Sequence, residues 1–156
     1  MSEANLVTVD TPRLGTIRVP EDQVLHFREG ILGFPGIHRF TLIEQEDIRP
    51  FHYLQSLEDP PITLLVVNPF LLHPAYTFEV GGADMEYLQT DRPEEVSVYA
   101  VATIPGNPAE ATINLMAPIL VHEGKRCGRQ VVLLEGDYPM KHPVFNPPSS
   151  SEAGLI

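Results

Sequence analysis

Sixteen prolines and eleven glycines are scattered, not pooled, along 156 residues, and this punctuation most limits what the chain can fold into. It cuts the sequence into segments too brief for helices of ordinary length, while short strands joined by turns fit between the breaks. Candidate strands cover residues 16–19, 23–27, 39–43, 51–55, 62–67, 77–80, 96–104, 111–114, 119–122 and 129–134. Their spacing suits a sandwich or small barrel. Alternation is plain in Thr16-Ile17-Arg18-Val19, where Ile17 and Val19 face inward and Arg18 faces water, and in Phe40 and Leu42 flanking Thr41. Residues 62–67 and 96–104 are apolar on both faces, as central strands covered on two sides must be. Only Asp84-Met85-Glu86-Tyr87-Leu88, after Gly81-Gly82, offers an aspartate N-cap with an apolar face at Met85 and Leu88. The expected fold is therefore mostly β: a single-domain antiparallel small β-barrel or sandwich with one short helix, over residues 6–145. Residues 146–156, with Pro147-Pro148-Ser149-Ser150-Ser151, lack the apolar content to order themselves and are expected as a disordered tail.

A hydrophobic fraction of 43% in 156 residues suffices for one core of ordinary size. With 10 basic against 21 acidic residues the formal charge is -11, which repels a nucleic-acid backbone and favours a basic partner. The single cysteine, Cys127, has no internal disulfide partner, and Met1-Ser2-Glu3-Ala4 lacks both the basic and the apolar part of a leader peptide. A reducing cytoplasm is the expected location. No apolar run approaches the roughly 20 residues needed to cross a bilayer.

Three short signatures stand out from this β pattern. Phe27-Arg28-Glu29-Gly30-Ile31-Leu32-Gly33-Phe34 sets two glycines between phenylalanines, a spacing suited to a backbone passing through positive φ while aromatic rings pin both flanks. Val67-Asn68-Pro69-Phe70 stops an apolar strand with an Asn-Pro pair read as incompatible with helix. Asn114-Leu115-Met116-Ala117-Pro118-Ile119 brings a proline to the mouth of another strand, where its missing N–H costs no ladder bond.

In this order, and together with Phe51-His52-Tyr53-Leu54-Gln55-Ser56 and Gln130-Val131-Val132-Leu133, the signatures resemble the flagellar assembly factor FliW family from about Leu14 to Pro143. The resemblance implies a small bacterial cytoplasmic protein that binds flagellin and also CsrA, a translational repressor that recognises messenger RNA. It assigns Phe27, Gly30, Ile31, Gly33, Phe34, Asn114, Ala117, Pro118 and Gln130 to the family motifs, where structural roles are expected. The partner-binding candidates are Asn68, Pro69, Phe70 and Leu71 for flagellin or general docking, and Asp84, Glu86, Glu94 and Glu95 as an acidic surface facing CsrA. Glu123-Gly124-Lys125-Arg126-Cys127-Gly128 reads as a basic hairpin tip, suited either to an acidic patch on flagellin or to protecting a sheet edge. The free protein is expected to be a monomer.

Catalysis finds no foothold in the sequence. His26, His38, His52, His73, His122 and His142 fall in separate segments without metal-ligand spacing, and no phosphate loop, nucleophile elbow or Ser-x-x-Lys pair occurs. The carboxylate pairs in Glu44-Gln45-Glu46-Asp47, Glu58-Asp59 and Glu94-Glu95 lie beside prolines or in polar turns, without the burial a general acid needs. No cofactor, metal, membrane or direct nucleic-acid contact is implied. The alternative is a small-ligand or carbohydrate-binding β module without catalysis; five tyrosines could form its platform, but tryptophan is absent.

Overall fold

The computed structural model describes residues 6–134 and 136–145. Strands β1 (Leu6–Thr11) and β2 (Gly15–Pro20) form a separate antiparallel ribbon. After β3 (Leu25–His26), β4 (Arg39–Glu44), β5 (Phe51–Ser56), β6 (Thr63–Val67) and β7 (Ser97–Thr103) follow one another as an antiparallel meander. The hairpin of β9 (Ile119–His122) and β10 (Cys127–Gln130) then completes the circle. On one side β9 pairs with β7, from Ser97 opposite Val121 to Tyr99 opposite Ile119. On the other, Cys127 of β10 lies parallel to His26 of β3. Seven strands thereby close into a barrel, which leaves no unpaired edge along most of its circumference.

The remaining elements wrap the barrel. The far end of β7 pairs with β8 (Thr112–Ile113), which pairs with β11 (His142–Pro143). One edge of β7 thus serves β9 at its start and β8 at its end, and residues 114–118 arch out between them. Two helices, α1 (Pro69–Leu72) and α2 (Gly82–Tyr87), lie between β6 and β7.

Several expectations are corrected. Among the described residues there are two short α-helices, not one, because Asn68-Pro69 starts a helix: Asn68 Oδ1 accepts the Phe70 N–H at 2.9 Å and Pro69 fills the first helical position, where no N–H is needed. Asp84 does not cap α2; the cap position is Gly81, and Asp84 lies inside the first turn. Residues 77–80 are not a paired strand, since Val67 and Ala100 beneath them already occupy neighbouring positions in the sheet. Strand β1, with Val7 and Val9 alternating against Thr8 and Asp10, has no counterpart in the expected set. The sheet also includes the parallel pairing of β3 with β10. The expectation for residues 146–156 lies outside the described residues.

Side-chain parity separates the inside from the outside. Leu25, Phe40, Leu54, Val66, Ile119 and Val121 share one buried cluster with Phe27 and Ile31, and this is the barrel interior. On the opposite parity of β6 and β7, Val67 and Ala100 form with Ile113 of β8 a second cluster on the outer face beneath Tyr76 and Leu115. Another outer cluster, Leu120 and Cys127, lies under Leu88 at the end of α2. The β1–β2 ribbon packs Val9 and Val19 against Val24 and Leu57. Burying such side chains contributes about 1.5–3 kcal/mol each, so the wrapping segments are held chiefly by outward-facing strand residues.

Candidate partner-binding surfaces

The first and third signatures meet. Gly30 and Gly33 hold φ of 69° and 89°, which lets Phe34 donate to Ile31 O at 2.7 Å and turn the chain back on itself. Phe27 is fully buried, edge-on to Phe40 with ring centroids 5.4 Å apart; Ile31 is buried and Phe34 half-buried. In the third signature Asn114 Oδ1 accepts the N–H groups of Met116 and Ala117 at 3.0 and 3.1 Å, stabilising the arch. Gln130 joins the two: its amide nitrogen donates to Ala117 O at 2.9 Å and its Oε1 accepts Leu32 N–H at 2.8 Å. Ala117 and Pro118 are buried at this junction.

Gly128 belongs to the same joint, though its place in the sequence suggests only a turn residue. It lies on the inner side of β10, and a Cβ there would sit 2.4 Å from Cζ of Phe27. The glycine makes the space that the phenylalanine fills.

The second signature points outward. Pro69 is buried, whereas Phe70 is 38% and Leu71 59% exposed. Phe70 leans on Tyr76 at 5.5 Å, and Leu72 packs into the outer cluster beneath. Asn68 and Leu71 border a cavity of about 380 Å³ with Arg49, His52 and Tyr99. Within it, His52 Nδ1 is buried without a hydrogen-bond partner among the described residues. Burial and the neighbouring Glu123 carboxylate raise the Tyr99 hydroxyl to about 12, so it remains a proton donor at neutral pH.

The four acidic candidates are less free than their sequence suggests. Asp84 contacts Arg129 Nη1 at 3.3 Å; Glu94 and Glu95 approach Arg92 Nε at 3.2 and 3.8 Å; Glu95 also meets Thr90 Oγ1 at 2.6 Å and His122 Nε2 at 3.2 Å. The Thr90 hydroxyl, followed by His122 and Arg92, holds the Glu95 carboxyl below its usual range. Glu58 is also lowered, chiefly by the His38 N–H donating at 2.7 Å. Both shifts run opposite to what a general acid needs. Glu86 alone of the four has no ion-pair partner among the described residues.

Two groupings form only in the folded chain. Arg28 and Arg129 place their guanidinium carbons 4.7 and 5.1 Å from the Tyr87 ring centroid, and Tyr87 Oη accepts Arg28 N–H at 2.9 Å. His73 and His142, distant in sequence, come together with tilted rings, centroids 5.0 Å apart, beside Tyr76 and Tyr138. The basic hairpin tip is partly tied down, as Arg126 Nη1 donates to Glu21 O at 3.1 Å. Among the described residues, no group of three or more His, Cys, Asp or Glu is placed to hold a metal ion, and no helix is long and apolar enough to cross a membrane.

A seven-stranded barrel whose outer face is wrapped by its own connections, with a capped helical turn offering apolar side chains, defines a single-domain β-barrel protein. The FliW protein family matches residues 8–144, and the chain belongs to that family of flagellar assembly factors. It is 42% identical over 135 residues to the flagellar assembly factor FliW of Thermotoga neapolitana, covering 86% of this chain and 91% of that one. The FliW protein of Syntrophomonas wolfei subsp. wolfei is 34% identical over 139 residues, 89% of each chain. A crystal structure of the flagellar assembly factor FliW superposes with a TM-score of 0.83 at 32% identity, over 88% of this chain and 96% of the other.

Proposed function

We propose that this flagellar assembly factor acts without catalysis, by holding other polypeptides in the bacterial cytoplasm, and that its partners are flagellin and CsrA. The observation that carries the reading is α1. Its capped turn fixes Phe70 and Leu71 at the surface, so these side chains lose little further freedom when a partner covers them. Asn68, Phe70 and Leu71 are the flagellin candidates, while the CsrA surface centres on Glu86, flanked by the paired Asp84, Glu94 and Glu95. A free monomer exchanges partners. Flagellin occupies it while subunits accumulate, and export of flagellin frees it to bind CsrA, lowering free repressor by mass action.

Calorimetric titration tests both arms. Phe70→Ser should weaken flagellin binding about tenfold or more, as expected for a central apolar anchor. The pair Glu86→Gln and Glu94→Gln should slow CsrA association and flatten its salt dependence. Full affinity for both partners in these variants removes the assigned surfaces; no heat with either partner removes the function.

A further inference from the structure

The outer face of the barrel is covered unevenly. Val67 and Ala100, paired across β6 and β7, are wholly buried under the segment that carries Tyr76. One row along the same face stand Tyr53, Leu65 and Ala102, in register across β5, β6 and β7. These are only half-buried, and they floor a groove of about 700 Å³ bordered by Ile104 and Phe145, which are 52% and 56% exposed. Among the described residues no segment lies across it. Apolar surface left bare beside a row that is fully covered marks an interaction site more than a packing accident.

The rim says what kind of partner fits. Arg13, at the β1–β2 turn, lies 5.8 Å over the Tyr53 ring and has no carboxylate partner among the described residues. Arg49 stands on the same rim, held by Glu44 at 3.2 Å where both side chains are more than half exposed, so an incoming carboxylate can compete for it. Asp47 is the acidic group facing them. Counting Glu44, two cations here meet two carboxylates, and Arg13 is the one left without a partner among the described residues; on a chain of net charge -11 its charge acts within the ~8 Å screening length, where the distant acidic residues count for less. Arg49 also borders the cavity beside Leu71, so the groove adjoins the α1 surface.

We propose that the groove over Tyr53, Leu65 and Ala102 docks an apolar polypeptide segment flanked by carboxylates, with Arg13 and Arg49 receiving the acidic side chains. It is distinct from the acidic surface around Glu86, and does not depend on the identity of either proposed partner.

The chain has no tryptophan, so a synthetic amphipathic peptide with one Trp among leucines on one face and Glu on the other reports its own burial by fluorescence. Saturable binding with a blue-shifted Trp is expected, with the Lys-bearing counterpart about fivefold weaker or worse. Ile104→Glu should weaken the acidic peptide about tenfold. Arg13→Glu should remove the preference for Glu over Lys, without moving the thermal midpoint. Absence of binding, or binding indifferent to both substitutions, overturns the proposal. So does concentration-dependent dimerisation abolished by Ile104→Glu, which gives the face to a second copy. Peptide binding seen only after removal of residues 146–156 gives it to the chain itself, and likewise overturns the proposal.

Discussion

The junction around Gln130 and the turn at α1 are equally conspicuous in the sequence, yet they occupy opposite sides of the barrel wall. At the junction Phe27 fills space made by Gly128, Gly30 has no room for a side chain, and one glutamine amide ties Leu32 to Ala117. At α1, Asn68 and Pro69 start a helix that displays Phe70 and Leu71 to water. The contrast shows that a conspicuous motif can either close a fold or furnish its surface. Burial of the residues around it decides which.

Substitutions should break the two regions in different ways. Phe27→Ala is expected to cost about 3–5 kcal/mol in urea unfolding, since it empties the barrel interior. Combining it with Gly128→Ala should cost less than the sum of the two single changes, because the added methyl enters the vacated space. Next in size, Gly30→Ala should cost about 2–4 kcal/mol, its Cβ lying 2.6 Å from Phe34 O and Pro35 at φ 69°. Gly33→Ala carries only the backbone strain, about 1–2 kcal/mol, since nothing lies within 4 Å of its Cβ. Equal losses at the two glycines would contradict the steric argument.

Gln130→Ala should follow at about 1–3 kcal/mol, leaving the buried Ala117 carbonyl without its donor. A smaller, pH-dependent effect is expected at His142. Burial, then the neighbouring His73, lowers its pKa below 6.5 in the folded protein, so the unfolded chain takes up the proton first. Its contribution is fully present above the unfolded value and declines as pH falls from about 6.5 toward the folded value. Urea midpoints measured across that range should slope for the native chain and flatten for His142→Gln. The lowered Glu58 contributes separately, with stability present above about 4.5 and lost as pH falls through its folded value. Smallest of all, Phe70→Ser should change stability by less than about 1 kcal/mol, as its ring is partly solvated already.

Much of the barrel was legible because parity is a local property. The doubly apolar runs at 62–67 and 96–104 became β6 and β7, each paired on both sides. The β1 alternation of Val7 and Val9 is equally local, though it lies in a stretch of only six residues before the first turn. Asn68-Pro69 is ambiguous in the sequence, since the same pair can end a strand and cap the next turn, and here it does both. Gly128 could not be understood from its neighbours, because the ring it accommodates belongs to Phe27, far away in sequence. Long-range pairing likewise hid the loss of free charge at Asp84, whose partner Arg129 arrives only with the β9–β10 hairpin. The His73 and His142 pair is a third case of this kind.

Hydrogen exchange with and without flagellin tests most directly whether the protein works by holding polypeptides on its outer elements. Bound flagellin should slow exchange at Phe70, Leu71 and His73, while β4, β5 and β9 keep their rates. Unchanged exchange at α1, with protection appearing inside those barrel strands instead, would contradict the account.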